Sequence, residues 1–287
     1  MARISYSQFS QWVQCPHKWK LQYIDGYGQF TDNIYTMFGS AIHECIQAYL
    51  KVMYADSIKK ANELPLDEML MLEKKKNYLE AKDKFDEQLT TSEEMKEFYF
   101  QGLQIIDDFK KKRAQYFSKK GYELVGIEKP LNYKLPNNIN FVGFMDVVIH
   151  NKKTGRIRII DIKTSTMGWN KWQKADKNKT NQLLLYKKFF SKQRDIPEDK
   201  IDIEYLILKR KLYVNIQYPQ KRLQVFSPAS GKPSLNKVMN RLDEFITDCF
   251  DENGVLIEKD YFKNVSTKNC RYCEFKDKPE LCDRIQT

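Results

Sequence analysis

The chain has 287 residues, room for one large domain or two modest ones with a sizeable core. Its 49 Lys+Arg against 38 Asp+Glu give a formal charge of +11, which suits a soluble protein that attracts polyanions, and 13% aromatics argue against disorder. Collagen, a coiled coil and a disulfide miniprotein are excluded. The opening MARISYSQFS has neither the basic segment nor the apolar run of a secretory signal, and no stretch of about 18 apolar residues occurs. A cytoplasmic or nucleoid-associated protein with no membrane partner is therefore expected. In a reducing compartment its six cysteines read first as metal ligands rather than as a disulfide framework.

In chain order, Ser5 and Ser7 are candidate caps for a first helix carrying Phe9, Trp12 and Val13. Gly39 to Met53 reads as a second helix, with Ile42, Ile46 and Leu50 four apart. Glu63 to Phe117 predicts two or more helices broken near Thr90 and Thr91. At Gly121 the period changes. Tyr122–Glu128, Ile139–His150 and Arg156–Lys163 are rich in β-branched and aromatic residues and separated by Pro136-Asn137-Asn138 and Lys153-Thr154-Gly155, which predicts a three-stranded meander. A helix over Thr180–Lys192 and a strand over Ile201–Leu208 follow. Leu212–Gln217 and Leu223–Phe226 complete the sheet, and Pro233–Asp251 is amphipathic. The expected organisation is a helical region over 1–120, an α/β core with a mixed central sheet over 121–260, and a cysteine-bearing clasp over 261–287, all in one integrated domain.

Asp161-Ile162-Lys163 closes one strand, and Asp146 lies near the end of its predecessor after Gly143-Phe144-Met145. Residues i and i+2 of a strand share a face, so Asp161 and Lys163 point together while Ile162 points into the core. Two aspartates on neighbouring strands can share a divalent cation such as Mg²⁺. Lys163 would then orient or deprotonate water and offset charge at phosphorus. Glu128 adds a third carboxylate to the same sheet end. Gln182 and Tyr186 share one helical face, and His43, four residues after Gly39, can reach the metal from a closely packed helix. Taken singly, each has a plain alternative: a surface strand of alternating charge, a solvated Glu, a core Tyr, a hydrogen-bonded His.

These residues, in this order, resemble the RecB-like branch of the PD-(D/E)XK nucleases. The likeness runs from Ser5-Tyr6-Ser7 and Cys15-Pro16 through Phe38-Gly39-Ser40-Ala41-Ile42-His43, Gly143-Phe144-Met145-Asp146, Asp161-Ile162-Lys163-Thr164 and Gln182-Leu183-Leu184-Leu185-Tyr186 to the C-terminal cysteines. Residues 51–120 and 209–260 carry no motif. The resemblance implies a catalytic core of Asp146, Asp161 and Lys163, His43 as an added ligand to Mg²⁺ or Mn²⁺, and Gln182 and Tyr186 touching DNA or bracing the site. It also implies hydrolysis of DNA phosphodiesters.

Cys270-x2-Cys273-x8-Cys282 cannot close a four-thiolate site alone, and Cys15, before Pro16, is the natural fourth. Spacing leaves zinc and an iron-sulfur cluster both open. One early cysteine with three at the C-terminus looks like the AddB-like and small CRISPR-associated or phage nucleases, which implies a [4Fe-4S] cluster. Cys45 and Cys249 read as buried apolar residues. Trp169, Lys171, Trp172, Lys174, Lys177 and Lys179 interleave aromatics with lysines, the composition of a channel for single-stranded DNA; the alternative is a solvated loop whose tryptophans pack on the body. Lys209-Arg210-Lys211 and Lys221-Arg222 read as ordinary hairpin turns, the alternative being a wider basic surface. No Gly-x4-Gly-Lys-[Ser/Thr] run occurs, so a helicase or recombination motor would be a separate partner chain. The competing readings are a catalytically silent DNA-binding subunit and a zinc-ribbon interaction module.

Overall fold

The computed structural model describes residues 2–28, 33–85, 90–215 and 217–283, with side chains for all of these except 77 and 80–85. In chain order come β1 (Ala2–Ser5), α1 (Tyr6–Gln14), α2 (Pro16–Tyr23), α3 (Ile34–Ala55), α4 (Ile58–Asn62), α5 (Leu66–Phe85) and α6 (Ser92–Lys112). The sheet region holds β2 (Tyr122–Leu135), β3 (Ile139–Asn151), β4 (Arg156–Ser165), α7 (Lys171–Ala175), α8 (Lys177–Arg194), β5 (Ile201–Lys209) and β6 (Leu223–Phe226). Two more helices close the chain, α9 (Lys232–Cys249) and α10 (Thr267–Cys270). The six strands form one mixed sheet in the order β1-β3-β4-β5-β6, with β2 on β3.

Two cores flank this sheet. On one face Ile157 and Ile159 of β4 pack with Leu183, Phe189 and Phe245 of α8 and α9; on the other Ile160 and Ile162 pack with Phe38, Ile42 and Ile46 of α3. The alternation of Arg156–Lys163 changes phase at Ile159-Ile160, so its isoleucines serve both cores, Ile157 and Ile159 one and Ile160 and Ile162 the other. The α/β fold with a mixed central sheet is the one the sequence predicts.

Several boundaries differ. β1 pairs in parallel with β3 from Ala2↔Ile139 to Ser5↔Val142, so the N-terminal region joins the sheet directly. Four residues flanked by a helix cap are too few to show a period. Ser5 does cap α1, accepting from the Gln8 N–H. α3 begins at Ile34, because the Asn33 side chain caps it by accepting from the N–H groups of Tyr35 and Thr36. Thr91 caps α6 in a reciprocal arrangement with Glu94, which is the break expected there. β2 runs on past Glu128 to Leu135. The expected strand Leu212–Gln217 is a loop over its described residues, closed by Gln220 bonding both the N–H and the C=O of Tyr213, while residue 216 lies outside them. The last four residues of the clasp also lie outside the described part.

Candidate active site

β3 pairs with β1 as far as Val142 and with β4 only from Val147 onward, so on that edge Gly143 to Asp146 pair with neither strand. This window holds the candidate catalytic groups. Beyond Ile160, β4 has no partner on the β3 side, and the N–H of Ile162 is instead taken by Asp146 Oδ2 at 2.7 Å. A backbone donor left over by diverging strands thus fixes the carboxylate.

Asp161 and Lys163 share the opposite face from Ile162, as their spacing predicts. Lys163 Nζ stands 2.8 Å from Asp161 Oδ2, yet that oxygen is buried without a well-directed hydrogen bond, so the contact is a charge pair. Burial pushes the Asp161 carboxyl up to about 6, against the pull of Lys163, and Asp146 adds to the rise. Burial likewise pushes Asp146 up to about 6, opposed by Lys163 and by the Ile162 N–H. For Lys163 burial acts downward, but Asp161 and Asp146 outweigh it and hold its ammonium above the usual range. It keeps 36% of its side chain open to solvent, a route for a ligand.

Helix α3 brings His43 from the other side, Nδ1 3.7 Å from Asp146 Oδ2, too long for a hydrogen bond. Burial and then Lys163 pull the imidazole below its usual pKa, so it stands neutral with a lone pair to give. Gly39 lets this helix approach: a Cβ there would lie 3.3 Å from Thr164 Oγ1. Glu128 lies across from Asp146, between the pairs Ile127↔Val147 and Lys129↔Met145, with φ of 44°. Gln47 donates to its carboxylate at 2.6 Å. From α8, Gln182 Nε2 donates to the Tyr186 hydroxyl at 3.1 Å, and the Tyr186 ring lies over Gly143, where a Cβ would come within 2.8 Å of it. Gln47 and Gly143 were not read as site residues in the sequence. An amide four residues after His43, among Ile42, Ile46 and Leu50, is the sequence signal that could have found Gln47.

The basic loop divides. Trp169 is 7% exposed, its ring 4.9 Å from that of Tyr205 and its N–H bonded to Gln224, which corrects its reading as a base-stacking residue. Its apolar neighbours on β5 and β6 bury it. Trp172, at 72% exposure, stands out on α7 with Lys171 Nζ 4.9 Å from its ring. Lys177 and Lys179 are exposed at the start of α8 and Lys174 is half-buried. Arg210 is buried rather than part of a basic surface, bonded to Gln101 and Thr166 and 4.1 Å over the Phe98 ring.

Cys15 is the single residue between α1 and α2, and together with Cys270, Cys273 and Cys282 it lines one small cavity. The tail is tied there by Asn264 and Asn269, which both donate to Gln14 O, and by His17 against Leu281 O. Burial raises the Cys273 thiol, and Cys15 and Cys282 lie near enough to add to it. Cys45 and Cys249 are fully buried. Among the described residues, no group of three or more His, Cys, Asp or Glu stands close enough, as placed, to hold a metal ion. Asp161 Oδ2, buried and without a directed donor, is nevertheless the kind of atom a cation would satisfy. No helix among the described residues is long and apolar enough to cross a membrane.

No curated protein matches the chain. A solved structure from Eubacterium rectale, provisionally named an exonuclease, superimposes with a TM-score of 0.50 at 12% identity, covering 85% of this chain and 79% of that one, a likeness of fold. The sequence model for the PD-(D/E)XK nuclease superfamily matches residues 3–278 and so takes in the diverging strands, the helices that flank them and nearly all of the tail. By that match the chain belongs to the PD-(D/E)XK nuclease superfamily.

Proposed function

We propose that this nuclease is a cation-dependent deoxyribonuclease of the RecB-like, iron-sulfur-containing branch, acting as an exonuclease on single-stranded DNA ends. The observation that carries the reading is Asp161 Oδ2, buried with no directed hydrogen bond beside Asp146 and Lys163. Lys163 offsets its charge without a directed hydrogen bond, and with the second carboxylate of Asp146 beside it the pair of oxygens suits Mg²⁺ or Mn²⁺. Asp146 and Asp161 hold the cation, with His43 as the added ligand. When bound, it supplies Lewis acidity toward the phosphodiester and lowers the pKa of water. Lys163 orients the attacking water and offsets charge at phosphorus. The Ile162 N–H keeps Asp146 aimed at the site, Tyr186 and Gln182 brace the strand window, and Gln47 holds Glu128 at its edge.

Digestion of end-labelled single- and double-stranded DNA with Mg²⁺, Mn²⁺ or EDTA tests this. Cutting that needs the cation and vanishes in Asp161→Ala and Lys163→Ala is expected. Wild-type rates in either variant overturn the assignment, and a wild type that binds DNA without cutting it points to a silent subunit.

The four thiols lining one cavity favour a second metal group, a structural [4Fe-4S] cluster that pins the tail to the junction of α1 and α2. Anaerobically purified protein should be brown with about four irons per chain. Stoichiometric zinc without iron keeps the clasp and removes the cluster.

A further inference from the structure

Among the described residues, the half of the sheet that leads into the strand window is covered by helices on one face only. Ile4, Leu131, Leu135, Ile139, Phe141 and Met145 are buried in the core against α8. Their alternating neighbours face the other way. Directly paired across the strands there are Phe144↔Pro130, Asn140↔Lys134 and Arg3↔Asn140, with Asn132 in the row between. Pro130, Asn132, Lys134 and Arg3 are exposed, and Phe144 is 60% exposed. α3 contacts β2 nearer its start, where Gln47 reaches Glu128, and leaves this stretch open.

A phenylalanine in mid-strand that exposes most of its ring gains nothing from packing. Here it stands two residues before Asp146, about 7 Å along the strand. On the side away from Asp146 and Glu128 follow the amide of Asn132 and then, in the row of Asn140, two cations, Lys134 and Arg3, with no carboxylate in these rows. Apolar ring, amides and cations on one flat surface match the bases and phosphates of an unpaired strand. The surface is continuous with the candidate site, since β3 carries both.

We propose that this open face of β1, β3 and β2 is the platform along which a DNA single strand reaches Asp146, with one base stacked on Phe144 and the backbone farther from the site, about 13 Å along β3, held by Lys134 and Arg3. The assignment rests on the nuclease reading above and adds the path of the substrate. It is separate from the Trp172 loop, which follows the C-terminal end of β4 rather than lying on β1, β2 or β3.

The test is anisotropy of a labelled oligothymidylate with the full-length protein in EDTA, paired with Mg²⁺-dependent cleavage of the same oligomer. Phe144→Ala should bind at least roughly fivefold more weakly, the low end of what one stacked base contributes. Its melting temperature should not change, because the exposed ring leaves little packing to lose. Lys134→Ala with Arg3→Ala should flatten the salt dependence of binding. The indole introduced by Phe144→Trp should keep the affinity and add emission that the oligomer quenches. Phe144→Ala that binds and cuts like the wild type, or an added indole the oligomer does not quench, overturns the platform alone. A wild type that binds without cutting, while Phe144→Ala binds weakly, removes the nuclease reading and leaves the platform.

Discussion

Asp161 concentrates the chemistry of the molecule in one side chain: a carboxyl with 3% of its side chain exposed, an ammonium 2.8 Å away and a second carboxyl across the strand gap. Both aspartates have pKa values raised from 3.8 to about 6, burial being the first cause. The folded protein therefore holds their protons to higher pH than the unfolded chain does. Between 3.8 and about 6 the native state binds more protons, and cation-free protein should lose stability as pH rises through that window. Above it the loss is complete and constant. Asp161→Asn removes the ionisation, so in EDTA it should melt higher than the wild type at neutral pH and show a flatter pH dependence, while cutting nothing. Calorimetry across the window checks this, and parallel pH profiles for wild type and variant would refute it. Added Mg²⁺ should raise the wild-type melting temperature above the window and have little effect below it, since protons and cation compete for the same oxygens.

At the scale of elements, the site depends on how closely two helices approach the sheet. The Tyr186 ring occupies the space that a side chain at Gly143 would need, with a Cβ coming 2.8 Å from its Cε1. Gly143→Ala should therefore cost about 1–3 kcal/mol in stability through overpacking and lower activity by shifting the window that carries Asp146. In a Tyr186→Ala background the same change should cost nearly nothing, a non-additivity that a double-mutant cycle by chemical denaturation measures. Equal costs in both backgrounds would show that the glycine serves the backbone and not the ring. Asp161, Lys163 and Asp146 were legible in the sequence because strand alternation fixes which side chains point together. Gly143 against Tyr186 was not, since it is a contact between elements 43 residues apart whose meeting depends on how α8 lies on the sheet. Glu128 was legible as a carboxylate near the sheet end, but its left-handed backbone opposite Asp146 follows from pairing, which the residue types alone do not encode. At the clasp the same logic predicts that Cys273→Ser loosens α1 and α2 together with the tail. Hydrogen exchange should rise at Gln11 to Trp19 as well as at the tail, and a rise confined to the tail would separate the two.

Across the whole molecule, the charge of +11 suits a polyanionic partner and the sheet gathers the candidate catalytic groups; neither says which ring meets a base. Composition treated Trp169 and Trp172 alike, yet one packs on Tyr205 and the other stands 72% exposed on a short helix beside Lys171. Burial by β5 and β6 is a tertiary fact, and the residues flanking the two tryptophans are too similar to announce it. The two rings should consequently fail in different ways. Trp169→Ala removes a core aromatic, which typically costs about 3–5 kcal/mol, and should lower the melting temperature and weaken binding to single and double strands alike. Trp172→Ala should leave melting unchanged and weaken single-strand binding by roughly fivefold or more if the indole stacks on one base, with a smaller loss on duplex, whose bases must first unstack. Lys171→Ala should instead act on every sequence equally and reduce the steepness with which affinity falls as salt rises, because each lost phosphate contact releases fewer counterions. Titrations of labelled single- and double-stranded oligomers over a salt series, with a thermal melt of each variant, distinguish these outcomes. A Trp172→Ala variant that melts like the wild type and binds both forms unchanged would show that the strand passes clear of α7 and enters the site from another side of the sheet.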